Sequence, residues 1–188
     1  MTAPERFTLF SRVLHWAMAV LVVAMLLIGF AMVASIADYR FLQAIHRPVG
    51  VLVLVLAVVR IVNRLRRRPP AANLGRLERL ASTGSELLLY ALLVAQPLVG
   101  WAMVSASGTP VILFGSLHLP RITPADLDLY SWFREVHTLL AYALFLLFTA
   151  HMLAVLFHTL VLRDGLLSRM TFGRRRKAVA PGTPADGA

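Results

Sequence analysis

Six histidines and no cysteine bound the chemistry open to this 188-residue chain. Disulfides, thiolate catalysis, Cys-ligated zinc or iron–sulfur clusters and the C-x-x-C-H attachment of a c-type haem are all excluded. Neutral imidazole is then the natural ligand for a transition metal or a haem iron. The histidines are His15, His46, His118, His137, His151 and His158. Several fall in long uncharged stretches, where an ionisable side chain is costly and therefore a functional candidate by default.

Those stretches define the elements that must position them. The chain is 59% hydrophobic and 15% charged, with mean hydropathy +0.74. No Asp, Glu, Lys or Arg occurs from Val13 to Ala37, from Leu87 to Pro120 or from Val136 to Leu162. This composition excludes a disordered chain and points to an all-α integral membrane protein, a bundle of four transmembrane helices. The expected spans are about 10–37, 42–63, 84–106 and 127–162, within one membrane domain covering 1–172. Val33 to Ala37 offers small residues of the kind a signal peptidase accepts, but the apolar run is too long for an h-region, so a retained span is expected. Pro69 to Leu80 reads as a connection turning into the third span. Gly108-Thr109-Pro110 stops that span, and the apolar stretch Val111–Leu119, too short to cross, reads as an interfacial loop or half-helix. The segment 173–188 is basic, then rich in Pro, Gly and Ala, and is expected to be a disordered cytoplasmic tail.

The net charge of +10 serves topology rather than nucleic acid. Arg60, Arg64, Arg66, Arg67 and Arg68 close one span, and Arg163, Arg169, Arg174, Arg175, Arg176 and Lys177 follow another. Clusters beside spans mark the cytoplasmic side, where anionic lipid also attracts them. With both termini cytoplasmic, Arg40, Arg47, Arg121 and Arg134 on the outer side are balanced by Asp38, Asp126, Asp128 and Glu135, so the whole excess lies inside.

On this topology the histidines sort by depth. His46 and His137 begin the second and fourth spans on the outer side; His15 and His151 lie toward the inner side. His151 follows His137 by fourteen residues, a rise of about 21 Å that returns the side chain to within about 40° of its starting direction. One helix presenting two inward imidazoles at two levels suits two stacked haems, each iron taking a second imidazole from another helix. His15 pairs with His151 and His46 with His137. Gly29, fourteen residues after His15, and Gly50, one turn from His46, would let a porphyrin approach the backbone. The third span has no histidine and would wall the site, with Pro97 and Gly100 bending it.

Other positions are less decided. His158, seven residues after His151 on the same face, is an alternative ligand, a haem-propionate or quinone contact, or a surface histidine; His118 reads as a loop residue. Trp16, Trp101 and Trp132 are candidate quinone contacts, although Trp16 and Trp132 also sit where interfacial belts are expected. Arg47 and Arg134, one and three residues from outer histidines, are the best-placed outer cations for steering an anion or binding a propionate.

The pattern resembles the bacterial cytochrome b561 family over about Phe7 to Met170. The likeness rests on Ser11-Arg12-Val13-Leu14-His15-Trp16, on Ile45-His46-Arg47-Pro48-Val49-Gly50, and on Val59-Arg60 with the Arg64 to Arg68 run. Gln96-Pro97-Leu98-Val99-Gly100, Glu135-Val136-His137, His151 and Leu162-Arg163-Asp164-Gly165-Leu166-Leu167-Ser168-Arg169-Met170 extend it. The resemblance implies a four-helix bundle of the inner membrane with two haems b, the inner held by His15 and His151 and the outer by His46 and His137. It also implies electron transfer to ubiquinone, in the nearest type from periplasmic superoxide, which is oxidised to dioxygen. A rival keeps the haem but makes the chain an electron-transfer subunit for a partner dehydrogenase or hydrogenase. A rival of another class is a histidine-lined small transporter or scaffold without haem.

Overall fold

The computed structural model describes residues 6–67, 75–113 and 115–172. The expected tail at 173–188 lies outside the described residues. Four helices are long and apolar enough to cross a membrane among the described residues: α1 (Leu9–Ala34), α2 (Tyr39–Arg66), α3 (Arg76–Ala106) and α4 (Leu127–Leu156), the last prolonged by a π-helical turn, Phe157–Leu162. The boundaries follow local chemistry. The Thr8 side chain accepts from Ser11 N at 3.3 Å and caps α1, and Asp126 Oδ1 accepts from Leu129 N at 2.9 Å to cap α4. Glu78 reaches back to Gly75 N at 3.1 Å at the start of α3. That helix begins well before the expected span at 84, because a polar helical turn can project beyond the hydrocarbon at no cost to the apolar run that crosses it.

The bundle is antiparallel. At one end Asn63 Nδ2 of α2 donates to Ser11 Oγ of α1 at 2.8 Å, and Arg64 of α2 bridges Glu86 of α3 at 2.9 Å. This end, which also carries Arg66, Arg67, Arg76 and Arg163, is called inner, and the opposite end outer, after the charge distribution. Side chains such as Phe30, Val33 and Ile36 are 75%, 86% and 93% exposed, so much of the apolar surface faces outward, as lipid solvation requires. The interior is thin. Val22 of α1, Leu92 of α3 and Leu144 of α4 form a central cluster, backed by Leu26, Leu93, Leu140 and Leu147.

Of the interfacial loop and the half-helix expected for Val111–Leu119, the half-helix does not form. The segment forms an antiparallel hairpin of β1 (Val111–Leu113) and β2 (Leu117–Leu119), with Val111 opposite Leu119. Val111 and Leu113 are buried while Ile112 between them is exposed, a two-residue alternation that a helix cannot produce. Pro110 removes a donor ahead of it, and Gly115, at φ +77°, supplies the left-handed residue that the turn requires. The hairpin packs on Val104, Trp101 and Val51. Trp101 Nε1 donates to Pro120 O at 3.0 Å, and Thr123 Oγ1 to Ala102 O at 3.1 Å, pinning the loop to α3.

Candidate functional site

The helices present residues to the interior at a seven-residue interval, close to two helical turns. In α4 the series is His137, Leu144, His151; in α2 it is His46, Val53, Arg60. In α1 it is His15, Val22, Gly29, and in α3 Glu86, Leu93, Gly100. Val22, Val53 and Leu144, at the middle of three of these series, are buried, with Leu93 half-buried. The bundle therefore has two levels separated by an apolar layer.

At the outer level the His46 and His137 rings face each other edge-on, with centroids 6.3 Å apart and planes at 74°. Gly100 of α3 lies against the His137 ring: a Cβ there would sit 3.1 Å from Cε1. Gly29 of α1 lies by the other ring, a Cβ there meeting His46 Cε1 at 3.9 Å. Gln96, one turn before Gly100, donates to the His137 backbone carbonyl at 3.1 Å and approaches His137 Nε2 at 3.4 Å. His46 Nδ1, His137 Nδ1, Arg47 Nε and Gln96 Oε1 are buried without a hydrogen-bond partner. Each such atom costs about 1–3 kcal/mol. Beyond them an open cavity of about 320 Å³ is lined by Arg40, Gln43, Ala44, Arg47 and Pro48 of α2 and by Ile112 and Gly115 of the hairpin.

At the inner level, seven residues from the apolar layer on each helix, stand His15 of α1, His151 of α4 and Arg60 of α2. Arg60 Nε donates to Tyr90 Oη at 3.1 Å and its guanidinium lies 5.8 Å from that ring's centre. Tyr90 donates in turn to Glu86 Oε1 at 3.2 Å, and Glu86 accepts both Nε and Nη2 of Arg64 at 2.9 and 3.2 Å.

Below the inner level the chain closes on itself. Trp16 Nε1 donates to Met170 O at 3.0 Å, Arg12 Nη1 to Thr171 O at 2.8 Å, and Phe7 N to Arg169 O at 3.3 Å. Trp16 thus uses its one donor to tie the 3-10 turn Leu166–Arg169 to α1. His158, in the π-helical turn, pairs through Nδ1 with the Asp164 carboxylate. Burial opposes ionisation of Asp164, but the Leu166 N–H and His158 outweigh it and hold its carboxyl below 3.8. His118 is exposed and bonds locally to Ser116 O.

The model for prokaryotic cytochrome b561 matches residues 6–173. The chain belongs to the prokaryotic cytochrome b561 family. Among curated relatives it is similar to "Cytochrome b561 homolog 2" of Escherichia coli (strain K12), 31% identical over 173 residues, covering 89% of this chain and 92% of the relative. It is similar to "Probable superoxide oxidase CybB" of Yersinia pestis, 32% identical over 165 residues (84% and 90%). "Cytochrome b561 homolog 1" of E. coli is 28% identical over 176 residues (88% and 97%). It is an electron-transfer membrane protein of a family that implies haem b.

The outer residues fit that group. An iron about 2 Å from each of two imidazole nitrogens, with each ring centre about 1 Å further, separates the centres by about 6 Å. The observed 6.3 Å agrees with that. The unpartnered atoms around the pair await a polar group the chain does not supply, and no three His, Cys, Asp or Glu side chains converge as a cation cage among the described residues. Arg134 is exposed and does not line the outer cavity, whereas Arg40 does so beside Arg47. Gln96 and Gly100 occur in the motif that carries the resemblance, but their contacts with His137 were not anticipated. The signal was the seven-residue series back from Gly100, legible once α3 is aligned with α4. A Cβ on Gly50 would meet Met25 of α1 at 3.6 Å, so this glycine packs two helices together.

Proposed function

We propose that the chain is a di-haem b cytochrome of the bacterial inner membrane, with both termini cytoplasmic, that takes electrons from superoxide at the outer end and delivers them to ubiquinone. The observation that carries this reading is the outer imidazole pair at haem-spanning distance, with Arg47, next to His46 in the chain, lining a cavity together with Arg40. Haem b held by His46 with His137 and by His15 with His151 would supply one-electron transfer across the bilayer. The chain's own residues do the rest. Arg40 and Arg47 attract a small anion to the outer cavity, since a cationic cleft raises encounter rates. His46 and His137 would hold the haem through both imidazoles, and Arg40 and Arg47 would hold the anionic donor in the cavity they line. The apolar layer around Val22 and Leu144 keeps water from the path between the levels. Two superoxide anions yield two dioxygen molecules, and their two electrons with two protons convert one ubiquinone to ubiquinol. Near the inner end His158, its Nδ1 held by Asp164, offers Nε2 to a quinone or propionate, and Trp16, its N–H bound to Met170 O, offers only its ring face.

The test is a reduced-minus-oxidised spectrum and a pyridine haemochrome count on the purified chain, repeated for His46→Ala and His151→Ala. Two haems b per chain, with a different one lost in each variant, are expected; a colourless protein from haem-replete cells overturns the reading. A superoxide pulse in stopped flow should then reduce the oxidised protein. Failure there, with both haems present, overturns the donor alone and leaves a dehydrogenase partner as the source of electrons.

A further inference from the structure

The inner level differs from the outer in one respect that the histidine pairing does not explain: a cation and an anion occupy the positions that in the outer half are a histidine and a glycine. Arg60 stands fourteen residues after His46 on the same face of α2, and Glu86 fourteen residues before Gly100 on the same face of α3. The register between helices places Arg60 independently. Asn63 of α2 bonds Ser11 of α1, and one turn back along α2 and one turn on along antiparallel α1 brings Arg60 beside Leu14 and His15. Arg60 is a half-buried residue, where a charge is screened less than in water, and its guanidinium is held by the Tyr90 hydroxyl and ring. Glu86, which would cancel it, is instead engaged face-on by Arg64 and reaches Arg60 only through Tyr90.

We propose that Arg60 sets the reduction potential of the inner haem: an oriented positive charge beside the inner pair stabilises the reduced iron and makes the inner level the better electron acceptor, with Tyr90 positioning the guanidinium and Glu86 trimming its effect. Arg60 is a positioning charge, not a catalytic residue. Among the described residues, the charges nearest to Arg60 along α2 and α1 are Arg64, neutralised by Glu86, and Arg12, tied to Thr171, while Arg66, Arg67, Arg76, Arg163 and the Asp164 paired with His158 lie further toward the inner surface. This inference rests on the inner pair holding a haem.

The experiment is a potentiometric titration of the full-length haem-loaded protein in detergent, followed at the α-band, with the inner component assigned as the one missing in His151→Ala. Arg60→Gln should lower the inner midpoint so that its reduced-to-oxidised ratio at fixed potential falls about tenfold, or about 59 mV for a one-electron couple, leaving the outer midpoint in place. Arg60→Lys should restore most of the shift. Glu86→Gln should move the inner midpoint the opposite way, a result available even where Arg60→Gln does not fold. Tyr90→Phe should move it in the direction of Arg60→Gln by less. An inner midpoint unmoved in Arg60→Gln and Glu86→Gln at full haem content, or an equal shift of both haems, overturns the proposal. Loss of the inner component from the wild-type protein itself would instead overturn the di-haem reading, which the haemochrome count registers before any titration.

Discussion

Each end of the bundle carries two of the interior histidines, His46 and His137 at one and His15 and His151 at the other, yet the two ends are built on different principles. The outer pair is wedged between glycines, its orienting partner is the neutral amide of Gln96, and buried polar atoms around it are left unpaired. The inner pair sits beside a connected chain, Arg60 to Tyr90 to Glu86 to Arg64, whose described hydrogen bonds are made within the protein. Space is the resource at the outer level and charge at the inner. Under the proposed function a donor from the aqueous side would need an approach to the outer level and the acceptor level a favourable potential, and the contrast suits both.

The sharpest way to break the comparison is at Gly100. Gly100→Val should displace the His137 ring, because even a Cβ lies at 3.1 Å, and should cost the outer haem at least tenfold in occupancy, read by haemochrome count. Gly29→Ala, with its Cβ at 3.9 Å, should leave His46 in place and keep the outer haem. Equal loss in both variants would show that the glycines act on the helix backbone rather than on the rings. Next in size, Arg40→Ala combined with Arg47→Ala should slow superoxide-driven reduction roughly tenfold at low salt and flatten its salt dependence, while Arg134→Ala changes it little. Gln96→Leu should weaken the α3 to α4 contact by about 1 kcal/mol, seen as a lower midpoint of thermal haem release. Trp16→Phe, which removes one bond to Met170, should cost a similar amount at the inner end without moving the outer haem spectrum.

The smallest effect expected is one of pH, and it belongs to the inner end alone. Asp164 is held below 3.8 in the folded protein, so its ionised form favours the folded segment at higher pH. That contribution is complete above about pH 5 and fades as pH falls through the folded value. The protection factor of the Leu166 amide, whose N–H bonds Asp164 Oδ1 at 3.0 Å, should be level above about pH 5 and fall as pH drops through the Asp164 titration. Asp164→Asn should abolish the transition.

Much of this was legible in the residues. Uncharged runs beside arginine clusters predict helices and their polarity, because hydrocarbon tolerates neither charge nor unpaired backbone. The fourteen-residue interval from His137 to His151 predicts one face and two levels from helix geometry alone. The same interval links His46 to Arg60 and Glu86 to Gly100, but there it was hidden: Arg60 belongs to a basic cluster already accounted for by topology, and an isolated glutamate near a span end carries no signal. Val111–Leu119 reads as an interfacial loop or a half-helix because a short apolar run does not distinguish strand from helix; Pro110 and Gly115 are the cues that favour a hairpin.

The amino-acid order by itself determined the class of protein, its four helices and the depth of each imidazole, since these depend on local hydropathy and a fixed rise per residue. Only the tertiary structure decided which glycine meets which ring, that Arg40 rather than Arg134 joins Arg47, and that Tyr90 stands between Arg60 and Glu86. Those facts depend on the rotation and offset of one helix against another, set by side-chain packing between segments distant in the chain.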